Sequence, residues 1–283
     1  TYTRAVYETM DAYGTKRYVY LLDETLELEN VGLISENYAG MLVAGITEMS
    51  YRACAEKASR MTGQSISAMG VWNVIQALGA KVSEEEKELV KAHKEGQVKG
   101  KRTAPVLFEE ADGVWINLQG KDRRKNGFDK AEMKVSIAYD GWKYKGGQRY
   151  ELDGKVSTAG FEKAKEFQEA REALIASEYD LEKTDLRLLN GDGAQWIKKV
   201  KDKSTVFQLD LFHRNKSIRE NIKDVEARQA IHEHLESCDL DGLFEYLEKY
   251  RNSLGEDEWI EKAGILTDYF KNNREGLLPY QKM

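Results

Sequence analysis

The amino-acid sequence predicts a mixed α/β (α+β) fold: a mixed five-stranded sheet flanked by helices, with a helical region before it and an all-helical segment after it. Three observations predict this. Between Ala104 and Asp210, short apolar or alternating runs, the mark of strands, are interleaved with amphipathic stretches. From Ser35 to about Glu95 the apolar residues recur at helical intervals. From Leu211 onward only helical spacing remains.

Taken in order, residues 1–22 read as two strands about a turn at Gly14. Tyr2, Arg4 and Val6 alternate with Thr3, Ala5 and Tyr7, and Arg17 to Leu22 supplies the return strand. Ser35 and Ser67 each stand where a helix N-cap is wanted, and a second helix starts at Ser50. The first helix carries Tyr38, Leu42 and Ile46 on one stripe, the second runs to Met61, and the third ends at Leu78, where Gly79 stops it. In the third helix Val71, Val74, Ile75 and Leu78 form the buried line, and Asn73 and Gln76 lie off it. A helix, a glycine-containing turn and a helix with a polar face is the pattern of a helix-turn-helix DNA reader, and a plain three-helix bundle uses the same spacing. Ser83 caps a charged helix to about Glu95, and the basic stretch from Gly96 to Arg102 marks a boundary near residue 100.

After that boundary comes a long strand from Ala104 to Gln119. A polar turn follows, with Asn126-Gly127 as its hairpin signal, then strands from Glu132 to Tyr144 and from Gln148 to Thr158. A helix from Phe161 to Ser177 buries Ala164, Phe167, Ala170/Arg171 and Leu174. A short strand from Leu186 to Leu189, a helical turn from Ala194 and a strand from Thr205 to Asp210 complete the sheet. Helices over 211–222, 224–237, 239–252 and 256–273 close the chain. The segments are therefore 1–30, 31–98, 99–222 and 223–283. A meander that continues by helical crossovers makes a mixed sheet. This order, β-β-β-α-β-α-β-α, is that of ribonuclease-H-like folds, in which the first strand is central and the strand after the first helix pairs beside it.

Bulk composition narrows the function classes. The chain has 283 residues, 41% hydrophobic and 33% charged, with no apolar run long enough for a membrane span. Its two cysteines, Cys54 and Cys238, have no closely spaced partner, which fits unpaired thiols in a reducing cytoplasm. Net charge is -6, but Lys94 to Arg149 holds thirteen Lys/Arg against eight Asp/Glu, a segregation that can make a basic face on an acidic protein, although ordinary solvated surface gives the same pattern more often. Lys121, Arg123, Arg124 and Lys125 are its best phosphate-contact cluster. Trp142 and Tyr144, alternating with Lys143 and Lys145, resemble a strand that stacks on bases, although edge packing uses the same residues. No Ser/His/Asp arrangement or phosphate-binding glycine loop is visible, and His232 and His234, two apart on a helix, point to different faces.

The chemistry concentrates in two stretches, Glu110-Ala111-Asp112-Gly113 and Asn190-Gly191-Asp192-Gly193, each an aspartate at the end of an apolar run. A carboxylate at the edge of a buried strand is costly unless something cationic meets it. The fold order brings Asp112 and Asp192 together across adjacent strands. Phosphodiester attack needs an activated oxygen nucleophile and a stabilised leaving oxyanion, which a pair of Mg²⁺ ions held by clustered carboxylates supplies. Asp-Gly is also a common turn dipeptide, and Asp140-Gly141 and Asp153-Gly154 read as turns.

Several stretches resemble bacterial insertion-sequence transposases of the Mutator-like, DDE-type class. They are Gly45 to Arg52, Thr62 to Ser67, Val71-Trp72-Asn73, Glu110 to Trp115, Gly191 to Ile197 and Leu209-Asp210-Leu211-Phe212-His213. The resemblance implies a ribonuclease-H-like catalytic core behind a helix-turn-helix. It implies Asp112 and Asp192 as the first two metal-binding acids, with Mg²⁺ or Mn²⁺, two ions in all, as cofactor. Asp210 and His213 become auxiliary residues, and Glu110 is a second choice for the first acid. Asn73, Gln76, Lys121, Arg123, Arg124 and Lys125 become contacts to double-stranded DNA. The implied activity is DNA cleavage and 3′-hydroxyl strand transfer by a homo-oligomer on DNA, in the cytoplasm at the nucleoid. The third acid of that class is expected beyond Met283, which makes the chain an incomplete catalyst. The alternatives are a non-catalytic DNA-binding protein and a structure-selective nuclease.

Overall fold

The computed structural model describes residues 5–10, 14–21, 30–31, 34–198 and 204–279, with the side chains of residues 30, 31, 121, 125 and 126 excepted. Tyr2, Thr3, Arg4, Leu22, Ala12 and Tyr13 of the expected first hairpin lie outside the described residues, as do Val200 and the side chains of Lys121 and Lys125. The chain divides into two units, Thr1–Glu86 and Lys87–Met283.

In the first unit, β1 (Tyr7–Met10) and β2 (Lys16–Val19) pair antiparallel, with Tyr7 opposite Val19. The short strands β3 (Asn30–Val31) and β4 (Ile34–Ser35) form a second pair. Helices α1 (Glu36–Glu48) and α2 (Tyr51–Thr62) start where serines cap them: Ser35 accepts the Tyr38 N–H and Ser50 accepts the Ala53 N–H. α3 (Ala68–Lys94) begins with Ser67 accepting the Gly70 N–H at 3.0 Å. Leu42, Cys54, Ala55, Ala58 and Val71 form the core of this unit, with Val74 and Ile75 packed against it. α3 differs from expectation, because it runs unbroken through Gly79. An interior glycine costs only about 1 kcal/mol relative to alanine. No proline follows, and Ala80, Lys81 and the Glu/Lys run beyond all favour helix.

The second unit is built on a five-stranded mixed sheet. Its strands are β5 (Val106–Asn117), β6 (Lys130–Tyr139), β9 (Val156–Gly160), β10 (Leu186–Gly191) and β11 (Thr205–Leu209), in the order β11-β10-β5-β6-β9. β5 is central. It runs parallel to β10, which runs parallel to β11, while β6 and β9 are antiparallel. Helix α5 (Ala164–Glu178) lays Phe167 and Ile175 against one face, meeting Leu107, Ala111, Leu189 and the short helix α6 (Gln195–Lys198). After β11, helices α7 (Leu211–Asn221), α8 (Val225–Glu236), α9 (Leu240–Ser253) and α10 (Asp257–Asn272) enclose the largest core, around Ile218, Ile231, Leu243, Leu247, Leu266 and Phe270.

Two expectations in the meander are corrected. The Asn126-Gly127 signal ends a short helix, α4 (Gly120–Asn126), in which Gly127 is the left-handed C-cap at φ 69°, so the polar run between β5 and β6 is helical. The strands expected at 132–144 and 148–158 are each cut in two, leaving β7 (Gly141–Gly146) and β8 (Arg149–Asp153) as a separate antiparallel hairpin. Arg102 enforces the break. Its guanidinium holds Asp140 at 2.6 and 2.8 Å and Asp153 at 2.8 Å, pinning both ends of the hairpin to one cation.

Candidate active cleft

Strand register decides which side chains meet. Ala111 of β5 is opposite Gly191 of β10, and Gly191 is opposite Leu209 of β11. Asp112, Asp192 and Asp210 each follow one of these partners, so they form one row across three adjacent parallel strands. Neighbouring strands lie about 4.8 Å apart. The row sits at the carboxyl ends of β10 and β11, the edge where α/β sheets bind ligands. All three aspartates line a cleft of about 310 Å³ together with Glu110, Ser136, Asn190 and His213. The sheet therefore brings together Glu110, Asp112, Asp192, Asp210 and His213.

Each aspartate is held by the backbone on one oxygen. Asp112 Oδ1 accepts the Gly113 N–H at 2.7 Å, and Asp192 Oδ1 accepts the Ala194 N–H at 2.8 Å. Asp210 Oδ1 caps α7 by accepting the His213 N–H at 3.0 Å, and lies 3.1 Å from His213 Nδ1. Among the described residues, Oδ2 of each makes no hydrogen bond. Gly193 sits in the left-handed region at φ 89°, and a Cβ there would lie 2.3 Å from Asn273 Oδ1. The Tyr269 hydroxyl donates to the Asp192 carbonyl at 2.7 Å. Burial first, then the charges of Asp192 and Asp210, push that phenol up to about 12. The helical block thus grips the loop that carries Asp192. Glu110 accepts from the Tyr139 hydroxyl at 2.7 Å, and burial together with this carboxylate raises Tyr139.

Behind the cleft lies a buried ionic cluster absent from the sequence expectations. Glu109 is fully buried and meets Arg171 Nη2, Arg187 Nε at 2.5 Å and Arg187 Nη2 at 3.2 Å. Glu172 adds contacts to Arg187 at 2.8 and 2.9 Å. Burial pulls Arg171 down to about 10 against the opposing charge of Glu172, with Arg187 adding to the fall. Arg171 also donates to Ser136 Oγ at 3.1 Å, and Ser136 donates to the Glu110 carbonyl at 3.0 Å, so the cluster reaches the cleft wall. The signal was in the sequence: two consecutive glutamates in a strand point to opposite faces, so Glu109 enters the core when Glu110 does not. Arg187, inside Leu186-Arg187-Leu188-Leu189, is the matching cation.

The donor chemistry of the cleft bears on a divalent cation in two ways. Hard carboxylate oxygens are present, but among the described residues no three acidic, histidine or cysteine side chains are placed to hold a metal ion together. Mg²⁺ commonly takes one or two carboxylates and completes its shell with water and substrate phosphate, and Asp112 and Asp192 are the residues that would supply those carboxylates.

The other expected contacts lie elsewhere. Asn73 and Gln76 are exposed on α3 in the first unit. Arg123 and Arg124 are exposed on α4, and Arg123 pairs with Asp129 at 2.5 Å. Cys54 and Cys238 are both free thiols. Among the described residues no helix is long and apolar enough to cross a membrane.

Comparison with known proteins gives consistent relatives. A UPF0236 protein of Caldanaerobacter subterraneus subsp. tengcongensis is 27% identical over 287 residues, covering 99% of this chain and 56% of the relative. Another from the same organism is 27% identical over 287 residues, covering 99% and 53%. The UPF0236 protein in the vanSb 3′ region of Streptococcus gallolyticus is 23% identical over 271 residues, covering 91% and 56%. The chain thus spans about half the length of these relatives. None of these names describes a transposase, which corrects the membership expected from the motifs. Asp-Gly and Asp-x-x-His are short patterns with ordinary structural uses, here an Asx-type turn at Asp192 and a helix cap at Asp210. Matched by its family model over residues 1–283, the chain belongs to UPF0236, an uncharacterised protein family, and not to the Mutator-like DDE transposases.

Proposed function

We propose that the cleft is a metal-assisted phosphodiester site on a ribonuclease-H-like sheet, and that it cleaves DNA and transfers the freed 3′-hydroxyl to a second strand. The observation that carries this reading is the register row in which Asp112, midway along β5, lines up with Asp192 and Asp210 just past the ends of the parallel strands β10 and β11. Mg²⁺ or Mn²⁺ bound there would activate the attacking oxygen and stabilise the leaving one. The protein's part is positional. Backbone N–H groups fix Asp112 and Asp192 by one oxygen each and leave the other for the ion. Asp210 orients the His213 imidazole through Nδ1, which leaves Nε2 available to take or return a proton. The Tyr139 hydroxyl holds Glu110 at the cleft wall.

In the first unit α2, its turn and α3 serve as the DNA reader, presenting Asn73 and Gln76 to base edges. Arg124 on α4 contacts phosphate. One relative's name joins eleven numbered designations from a single organism, which we read as one sequence kept at many loci. That fits the proposed strand transfer, which would move a sequence to new sites. A non-catalytic DNA-binding role is the second reading, favoured by the lack of a three-ligand metal cluster among the described residues.

The test is incubation of the chain with Mn²⁺ and plasmid DNA carrying candidate ends. Nicking followed by joined products supports the proposal. Nicking without joining supports a nuclease, and binding without either supports the DNA-binding role.

A further inference from the structure

The β7–β8 hairpin carries large aromatic rings on a surface where packing does not require them. Trp142 is 54% exposed, Tyr144 64% and Tyr150 66%. Strand pairing puts them on one face, because Tyr144 is opposite Tyr150 and Trp142 is opposite Leu152. The intervening residues turn the other way, where Lys143 pairs with Asp153 at 2.7 Å and Lys145 with Glu151 at 2.6 Å.

The aromatic face is continuous with the cleft. The Trp142 ring lies 5.0 Å from Phe108 and 5.5 Å from Tyr139, centroid to centroid, and Tyr144 lies 5.5 Å from Tyr150. The Tyr139 hydroxyl in turn binds Glu110 on the cleft wall. A chain of ring contacts therefore runs from Tyr139, buried behind Glu110, to Trp142, where exposed ring faces begin and continue along the hairpin. Same-face residues on a strand are about 7 Å apart, so Trp142 and Tyr144 offer successive platforms.

The stems of the ribbon are held in place, and the hairpin as a whole carries more cations than anions. Arg102 clamps Asp140 and Asp153, and the Tyr179 hydroxyl donates to the Gly154 carbonyl at 2.7 Å, so both stems of the hairpin are moored. From Gly141 to Lys155 there are four Lys/Arg against two Asp/Glu, in a chain whose net charge is -6. Arg149, next to Tyr150, meets no carboxylate among the described residues.

We propose that this ribbon is a stacking platform for unpaired DNA, leading a single strand to or from the acidic cleft. Bases in a duplex present only their edges, whereas unpaired bases expose the faces that aromatic side chains stack on. The direction of the path, though not the stacking, rests on reading the cleft as a phosphodiester site.

The test compares a labelled oligodeoxythymidylate with a blunt duplex by fluorescence anisotropy, using the full chain and the variants Trp142→Ala, Tyr144→Ala, Tyr150→Ala and Tyr144→Phe. The alanine variants are expected to lose roughly five- to hundredfold in single-strand affinity, the range for one base–ring stack. Duplex affinity should hold, and Tyr144→Phe should bind as the parent does. Equal loss on both probes, or no loss, overturns the proposal. So does a concentration-dependent self-association that Tyr144→Ala abolishes, since the ribbon would then be a contact between copies. Asp112→Asn and Asp192→Asn, assayed in parallel for Mn²⁺-dependent cleavage, separate the two ideas. Cleavage lost in these variants with unchanged single-strand binding in the ribbon variants sinks the ribbon alone. Weakened single-strand binding in the ribbon variants, with no cleavage by any protein, sinks the cleft reading and leaves the ribbon standing.

Discussion

Replacing Arg187 by methionine tests the buried cluster behind the cleft. Arg187 is 1% exposed and contacts both Glu109, which is fully buried, and Glu172. Methionine fills much of the volume but removes the charge, leaving Glu109 to Arg171 alone and the cluster one positive charge short. Two unit charges about 4 Å apart attract by about 4 kcal/mol at an effective dielectric near 20. Breaking one side of a buried pair typically costs about 3–5 kcal/mol. For a unit running from Lys87 to Met283 that corresponds to a fall of roughly 6–20 °C in Tm, at about 2–4 °C per kcal/mol. Urea unfolding followed by tryptophan fluorescence measures the loss directly. Adding Glu109→Gln to Arg187→Met should recover part of it, because the second change removes the stranded charge. A loss under about 1 kcal/mol, the range of exposed pairs, or one that salt erases, refutes the reasoning.

Other perturbations follow from the same geometry. Gly193→Ala puts a side chain at φ 89° and against Asn273. It should destabilise by at least about 1–3 kcal/mol, read by the same unfolding assay, and an unchanged midpoint counts against the loop geometry. Asp210→Ala removes a helix cap and should cost about 0.5–2 kcal/mol, whereas Asp210→Asn keeps an acceptor and should unfold much as the parent does while nicking activity falls. Tyr269 has its pKa raised to about 12 from the ordinary 10. Its contribution is therefore complete below about pH 10 and is lost as pH rises through the folded value. Tyr269→Phe should flatten the decline in stability between these two pH values, and an unaltered pH profile contradicts the assignment.

The sequence carried much of the architecture because its signals were local. Ser35 and Ser67 are caps where capping residues were expected, and Ser50, expected to open its helix, caps it instead. The order of strands and helices was enough to place β5 centrally with β10 parallel beside it. The misreadings arose where tertiary contacts override local preference. Asn126-Gly127 serves a hairpin turn and a helix C-cap equally well, and only the helical α4 before it decides. Asp140 and Asp153 do stand at turns, as their Asp-Gly pairs suggested, but their grip on Arg102, distant in sequence, was not legible and is what holds the β7–β8 hairpin apart from the sheet. In the cleft, spacing singled out Asp112 and Asp192, but the equivalence of Asp210 needed the β10–β11 register. Tyr269 and Asn273 reach the Asp192 loop from α10 through contacts that no spacing rule encodes.

The central claim is that Asp112 and Asp192 hold a divalent cation for phosphodiester chemistry. Its most direct test is Mn²⁺ binding by the full chain with DNA present, followed by electron paramagnetic resonance, for the parent protein and for Asp112→Asn and Asp192→Asn. The account predicts that the parent takes up Mn²⁺ and that either substitution reduces uptake at least tenfold, about 1.4 kcal/mol, while the DNA stays bound. Equal Mn²⁺ uptake by all three proteins, or none by the parent, contradicts it.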